Sequence, residues 1–482
     1  MRIIILGAGI TGLSAALNLL NHNHEIIILE KKSSVGGLIS TFRWNNHIFD
    51  YGAFVCYPNL IYQLPHQIVN TLNCKKIDSL SSQLWHNSKI INWPMTVNEV
   101  IKEIGINKMF IGFVDFIKTL IVYRNREIST LEELIIKKMG KYFYKYSLLE
   151  EEIFKLTNRR SKELSKQFAI DHLNRLNEMS IKNYILKLFH LNNSKQDPPE
   201  YPLGGINSLP EAIEKYLLLR GVQIMKGAEV VKINNKGDWI DEVCYVKDEQ
   251  IFKLKADFVI STIPITQTIL LLNLNDKLNI LKNNKLNYRH LLLLFLILNK
   301  AQVSEKQLTY AFETNFKFKR IVEFKNYDDR NAPKNQSGLG IEICYSDESE
   351  IVNTNKLLRD IVNNLTDMKL IDSSQIIDYK FRRSEYAYPV EELNYEKKRD
   401  KLLEMITFNN MISCGRQGIF RYSRMAYGYT MGKVIANNIN LGVLDKNAYL
   451  DILFYFAYNC DIDGMKCDNE NRHDKSYIDN EK

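Results

Sequence analysis

Cysteine is scarce in this chain. Seven occur in 482 residues, at positions 56, 74, 244, 344, 414, 460 and 467. The count is odd, the positions are scattered and no CxxC occurs. This excludes a disulfide framework and a thiolate zinc site, and points to a reducing, cytoplasmic compartment. Nine histidines form no HExxH or HxxH pattern, so no metal site is expected. His22 and His24 fall in a helix-to-strand turn, where solvent exposure is the plain reading. Long apolar runs are missing too. The longest, residues 291–298, has eight residues, too few to span a bilayer and suited to a buried strand. Long basic runs are also absent. Lys+Arg number 64 against 56 Asp+Glu, and the resulting +8 is spread along the chain rather than gathered in the stripe of a nucleic-acid binder. A modest positive excess suits an anionic ligand.

What is present is ordinary for a globular protein. A hydrophobic fraction of 45% with 25% charged residues argues against a disordered or fibrous chain. At roughly 100–200 residues per domain, the length predicts two to four folding units. Residues 3–20 are rich in apolar residues after Arg2, but Gly7, Gly9 and Gly12 interrupt them. His22, His24 and Glu25 stand where a signal peptide would place a small-residue cleavage site. Residues 105–123 are hydrophobic with Lys108, Asp115 and Lys118 among them. The expectation is an amphipathic helix packed on the protein, with a membrane-surface or partner-binding helix as the alternative.

The first thirty residues carry the strongest signal. Residues 3–6 read as a buried strand, Gly7-Ala8-Gly9-Ile10-Thr11-Gly12 follows at once, and Leu13, Ala16, Leu17 and Leu20 mark one helical face. A second apolar run, residues 26–29, ends on Glu30. This is a βαβ unit with GxGxxG in its turn. Gly7 permits the tight turn, Gly9 lets backbone approach a pyrophosphate, and Gly12 lets helix and strand pack closely. The helix N-terminus offers N–H donors and partial positive charge to phosphates. Glu30, 18 residues after Gly12, is placed to accept ribose hydroxyl protons and disfavours a 2′-phosphate.

Downstream, Glu30-Lys31-Lys32-Ser33-Ser34-Val35-Gly36-Gly37-Leu38 reads ExxxxxGG, and Phe49-Asp50-Tyr51-Gly52 follows. Together these motifs resemble the start of the flavin-dependent amine oxidase superfamily, which includes amine oxidases, protoporphyrinogen oxidase, phytoene desaturases and UDP-galactopyranose mutase. The resemblance implies FAD, with Gly36, Gly37 and Leu38 bringing a second stretch of backbone against the dinucleotide. Further segments agree. Tyr201-Pro202-Leu203-Gly204-Gly205 opens a helix expected through Leu218, with Asn207 or Ser208 as its cap. Val230 matches a valine whose backbone lies against the adenine in relatives. Ala256-Asp257-Phe258-Val259-Ile260-Ser261-Thr262-Ile263-Pro264 matches a strand of the FAD domain.

Near the C-terminus, Cys414-Gly415-Arg416-Gln417-Gly418-Ile419-Phe420-Arg421-Tyr422-Ser423-Arg424-Met425 precedes an apolar helix. This version is narrower and resembles the mutase-like members. It implies flavin contacts at Gly415, Arg416 and Met425. Tyr288-Arg289-His290-Leu291 and Tyr386-Ala387-Tyr388-Pro389-Val390 agree. In the mutases, arginines and tyrosines of these motifs hold a nucleotide-sugar diphosphate, and Arg289, Arg416 and Tyr422 match them. Arginine offers phosphate a forked pair of donors and tyrosine adds a hydroxyl. The alternative for Arg416 is contact with FAD phosphates or capping of a carbonyl. Two positions depart from the mutase pattern. Phe54 stands where a histidine is expected and can neither move protons nor donate a hydrogen bond. Ala426 replaces the carboxylate that normally follows the methionine. Cys56 nearby reads as a buried apolar cysteine.

The expected fold is therefore α/β, a Rossmann-type FAD-binding domain (1–75, 200–275 and 375–445) interleaved with an α+β substrate domain (76–199 and 276–374). Helices are expected at residues 97–106, 110–123, 130–138, 181–189 and 356–365, strands at 291–298 and 340–345, and a disordered tail over 461–482. Three functions compete: an FAD-dependent oxidoreductase acting on a small molecule, a non-redox mutase acting on an anionic diphosphate-sugar, and an FAD-binding protein whose catalysis has decayed. Nucleic acid is not an expected partner, and oligomeric state is left open.

Overall fold

The computed structural model describes residues 1–20, 22–77, 81–93, 99, 102, 105–168, 198–443 and 445–458. The opening apolar run forms β1 (Arg2–Leu6), buried from Ile3 onward. Its parallel neighbours are β2 (Glu25–Glu30) and β13 (Phe258–Ser261). β9 (Gln223–Lys226) and β19 (Met411–Ser413) complete a five-stranded sheet in the order β19-β13-β1-β2-β9. Short β-branched strands fit such a sheet because it is covered on both faces. The helix Ile10–Leu19 lies against it, and the helix Met425–Asn440 packs on that helix. Gly432 makes the second contact close: a Cβ there would stand 2.4 Å from the Thr11 carbonyl oxygen.

A three-stranded antiparallel meander, β10 (Glu229–Lys236), β11 (Trp239–Lys247) and β12 (Gln250–Lys255), separates β9 from β13 in the chain. The second large sheet has seven strands: β18 (Ile376–Val390), β14 (Asn287–Leu298), β17 (Ser337–Tyr345), β16 (Arg320–Glu323), β15 (Leu308–Ala311), β6 (Ser82–His86) and β7 (Lys89–Asn92), in that order. Its pairings are antiparallel except for β15 with β6. The apolar run at 291–298 is the buried centre of β14, as its composition predicts. Two small antiparallel ladders, β3 (Thr41–Trp44) with β4 (His47–Asp50) and β5 (Cys74–Lys76) with β8 (Glu200–Pro202), stand beside the large sheets, and β4 packs on β17. The architecture is a Rossmann-type α/β unit interleaved with an α+β unit. β18 belongs to the seven-stranded sheet, so we place the last return to the dinucleotide sheet after Val390 rather than at residue 375.

The insert carries helices Ile106–Val122, Leu131–Met139, Lys141–Tyr146 and Leu149–Thr157, and also the hairpin β6–β7, which sequence periodicity did not reveal. Helix Leu131–Met139 starts at a capping box: Thr130 Oγ1 accepts from Glu133 N at 3.1 Å, and Glu133 Oε2 accepts from Thr130 N at 3.3 Å. Helix Ser208–Leu218 runs as expected, but neither candidate caps it. Asn207 Nδ2 donates to Glu211 Oε1 at 2.7 Å, and Ser208 Oγ donates to Leu203 O at 3.1 Å. The expected helix at 97–106 lies mostly outside the described residues; that at 181–189 and the tail from Asp461 lie wholly outside them. Helix Ile106–Val122 does not pack as expected. Its buried residues are Gly112 and Thr119; Met109, Val114 and Phe116 are half-buried, and the other large apolar side chains are exposed. The helix is amphipathic, as expected, but it packs by the side that carries Lys108, Gly112, Asp115 and Thr119, where Gly112 fits against Phe143 and Asp115 Oδ2 accepts from Tyr142 N at 2.8 Å.

Candidate active site

The first turn is built by three glycines with separate tasks. Gly7 takes φ +100 and turns the chain, its N–H donating to Leu29 O at 2.8 Å. Gly12 allows the helix to approach, since a Cβ there would lie 2.2 Å from Gly7 O. Gly9, with ordinary φ −73, is the N-cap residue of the helix Ile10–Leu19. A Cβ on Gly9 would meet nothing within 4 Å. The absence of a side chain is therefore not required by the protein itself. It leaves room in front of helix N–H groups that have no intrahelical partner, a cradle that could hold a diphosphate.

The other predicted cofactor residues gather around this cradle. Glu30, buried at the end of β2, accepts from Ala8 N at 2.8 Å and Lys32 N at 2.9 Å. Gly36 N donates to Ala8 O at 2.9 Å, and a Cβ on Gly37 would lie 3.2 Å from Gly9 Cα. The second glycine pair thus presses backbone against the first turn, and half-buried Leu38 continues it. Ala228 N donates to Glu30 O at 2.9 Å, which brings β10 and half-buried Val230 alongside. From the far end of the chain, Gly415 at φ +80 comes so near that a Cβ would be 2.8 Å from Thr11 Oγ1. Met425 is the first residue of the helix packed on Ile10–Leu19.

Asp50 joins this region to the return segment. It is buried and accepts from Thr41 Oγ1 at 2.6 Å, Tyr201 Oη at 2.8 Å and Ile206 N at 3.0 Å. Burial pushes its pKa up to about 6, against the pull of these three donors. Two residues on, Gly52 faces the seven-stranded sheet: a Cβ there would meet the Phe54 ring at 3.1 Å and Glu342 Oε1 at 3.6 Å.

Glu342 is the centre of a charge cluster that sequence reasoning missed. Fully buried on β17, it pairs with Arg320 Nη2 at 2.6 Å and Lys319 Nζ at 3.2 Å. Burial opposes its ionisation, yet Arg320 and Lys319 hold its carboxyl below the ordinary value. Lys319 also donates to Tyr388 Oη at 2.9 Å and lies 4.5 Å from the centre of that ring. Burial alone would lower the Lys319 pKa, but Tyr388 and Glu342 raise it. The available signal was a lone acid between isoleucines in an apolar strand, which demands a buried partner.

Tyr388 stacks on Tyr422 with ring centres 6.1 Å apart. The Arg416 guanidinium lies 4.1 Å from the Tyr422 ring and 5.3 Å from that of Tyr388. Its Nη1 donates to Ser423 O at 3.1 Å and its Nη2 to Ala387 O. Ala387 reaches it because β18 bulges, with Tyr386 at φ +52 and its N–H donating to His290 Nδ1 at 3.0 Å. Arg416 and Tyr422 are thus brought together, and Arg416 caps carbonyls. Arg289 sits opposite Tyr388 in the β14–β18 register, but its guanidinium points to Ser346 Oγ and Cys344 O, each at 2.7 Å, and to Glu350 at 3.6 Å. Ala426 is buried in the first turn of its helix. Cys56 is buried, with its thiol pKa pushed up by burial, so it is no nucleophile. Cysteines 56, 74, 244, 344 and 414 are free, and no metal-binding cluster occurs among the described residues.

Residues 10–291 match the flavin containing amine oxidoreductase family. The chain belongs to this family. It is accordingly an FAD flavoprotein. Over 294 residues it is 22% identical to the 4,4'-diapolycopene oxygenase of Methylomonas, covering 55% of this chain and 56% of that protein. A 54-residue stretch is 48% identical to a protein described as a possible lysine-specific histone demethylase 1 of Drosophila melanogaster, covering 11% of this chain and 6% of that one. Both relatives are matched over less than two thirds of their own length. Among solved structures, reduced UDP-galactopyranose mutase superposes with a TM-score of 0.73 at 17% identity, over 94% of this chain and 98% of that one. That likeness is one of fold.

Proposed function

We propose that the protein is an FAD-dependent oxidoreductase acting on a small molecule placed beside Phe54, Tyr388 and Tyr422. Gly7, Gly9, Gly12, Glu30, Gly36, Gly37, Leu38, Val230, Gly415, Arg416 and Met425 are the residues we assign to FAD. The helix N-terminus and the bare Gly9 backbone receive the diphosphate, and Glu30 accepts from the ribose hydroxyls. FAD supplies hydride acceptance when bound. The chain contributes position, exclusion of water and fixed charge. Lys319, anchored on buried Glu342, orients the Tyr388 hydroxyl, and Arg416 fixes the stacked tyrosine pair.

The observation that carries this reading over the mutase is the state of the two arginines. Both Nη atoms of Arg416, and both of Arg289, already donate to the chain's own oxygens. Arg289 is also drawn to Glu350 at 3.6 Å, and the Nε of each arginine keeps no acceptor among the described residues. Phe54 and Ala426 support the same conclusion. The test is an anaerobic bleaching screen of the yellow protein with amines, porphyrinogens and nucleotide sugars. Bleaching by one class is expected. Turnover of UDP-galactopyranose only after dithionite reduction would replace this reading with the mutase. An unbleached flavin with no turnover in either state would leave the decayed enzyme.

A further inference from the structure

The bulge in β18 is held from outside its own strand. Arg289 pairs with Tyr388 and Leu291 with Ser384, so Glu385, Tyr386 and Ala387 stand against His290 alone. Tyr386 lies in the left-handed region at φ +52. A residue with a Cβ keeps such a backbone only where its surroundings fix it. Three side chains fix it here. His290 Nδ1 accepts from Tyr386 N at 3.0 Å, Gln267 Nε2 donates to Tyr386 Oη at 2.7 Å, and Gln417 Nε2 donates to Tyr386 O. The Tyr386 ring also packs edge-on against Tyr288 and His290, with ring centres 5.0 and 5.3 Å apart. The next carbonyl along, Ala387 O, receives Arg416 Nη2. Contacts thus run from His290 through the bulge to Arg416, and from Arg416 to the rings of Tyr422 and Tyr388.

The first link depends on a proton. A backbone N–H can only donate, so Nδ1 of His290 is bare and the neutral ring carries its proton on Nε2. A protonated ring would set one N–H against another. Burial opposes that cation most; Glu385 on β18 and Glu348 after β17 favour it, and Arg289 beside it on β14 opposes it. The balance lies below the ordinary histidine value. Both acids are engaged elsewhere, Glu385 with Lys31 at 3.7 Å and Glu348 with Arg383 at 3.0 Å, while Arg289 faces Glu350 at 3.6 Å. The remaining titratable neighbour is Tyr345 on β17, with ring centres 5.3 Å apart.

We propose that His290 is a positioning residue for Arg416: its neutral ring holds the bulge that hands Ala387 O to the guanidinium, and its protonation lets bulge and arginine go. The site is assembled while the histidine is neutral and loosens on acidification. The inference rests on the assignment of Arg416 to the flavin.

Visible circular dichroism of the bound flavin, followed on the full chain from about pH 8 to about pH 5, tests it. The wild-type spectrum should change as pH falls below the ordinary histidine value, toward that of Arg416→Ala at neutral pH. His290→Asn puts an amide oxygen in the place of Nδ1 and does not titrate, so it should keep the neutral spectrum throughout. His290→Leu offers no acceptor, and should show the acid spectrum at every pH and hold FAD roughly two- to tenfold more weakly at neutral pH. Should His290→Leu fail to fold, wild type against His290→Asn decides alone. A wild-type spectrum that stays constant overturns the proposal. So does a His290→Asn spectrum that follows the wild-type change, because another group would then be titrating. An effect of Arg416→Ala without one of His290→Leu refutes the relay and leaves the site standing. An Arg416→Ala protein with the spectrum and FAD affinity of wild type removes the arginine from the flavin, and the relay fails with that assignment.

Discussion

Gly9 and Gly12 sit three residues apart in one motif, yet their substitution is expected to fail in different ways. A side chain at Gly9 enters open space with a permitted φ, so Gly9→Val should fold normally and lose FAD. A side chain at Gly12 collides with the Gly7 carbonyl at 2.2 Å, so Gly12→Val should fail to fold. Flavin absorbance beside circular dichroism separates the two. Stoichiometric flavin in Gly9→Val would refute the cradle. Asp50 offers a pH test. Its carboxyl is raised from 3.8 to about 6, so its protonated form favours the fold. The stability it contributes is complete below the unfolded value and is lost as pH rises through about 6. Between about pH 5 and pH 7 that loss amounts to ~1 kcal/mol. An asparagine side chain does not titrate, so Asp50→Asn should gain ~1 kcal/mol on wild type over the same interval, read from urea unfolding at both pH values. A difference that does not change with pH would mean that Asp50 stays charged.

At the scale of elements, legibility in the sequence followed locality. The strand–turn–helix at residues 2–19 is dictated by neighbours: glycines where backbone must turn or approach, β-branched residues before, a helical stripe after. The helix Ser208–Leu218 and β14 were legible for the same reason. The Glu342 cluster was not, because its partners, Arg320 at the start of β16 and Lys319 just before it, lie 22 and 23 residues away and only the β16–β17 register aligns them. Carbonyl capping by Arg416 was one of two readings the sequence left open, but its acceptor was not legible, because the bulge at Tyr386 is what delivers Ala387 O. The orientation of the helix Ile106–Val122 was hidden because the side that packs is the one with Gly112, Asp115 and Thr119, the reverse of the usual burial of an apolar face. The contact between helices Ile10–Leu19 and Met425–Asn440 gives this scale its prediction. A Cβ on Gly432 would stand 2.4 Å from Thr11 O and 3.0 Å from Ala15 N. Gly432→Leu should force the helices apart, cost ~1–3 kcal/mol in denaturant unfolding and weaken FAD retention, since Thr11 also touches the Gly415 turn. Unchanged stability and flavin content would show that the helices are free to separate.

Across the whole molecule, the dinucleotide sheet is sewn from strands that begin at residues 2, 25, 223, 258 and 411. This order has a consequence for synthesis. β1 and β2 leave the ribosome first, as two apolar strands with a hydrophobic helix between them. β13 follows roughly 230 residues after β2, and β19 about 400 residues after β1. At ~5–20 residues per second, the first strand waits roughly 13–50 s for its last neighbour, β13, and the sheet roughly 20–80 s for β19. The nascent chain therefore exposes an apolar strand–helix–strand unit for about half of translation, which calls for chaperone cover. In the site we propose, FAD capture waits until the helix Met425–Asn440 has emerged and packed on the helix that follows the first turn.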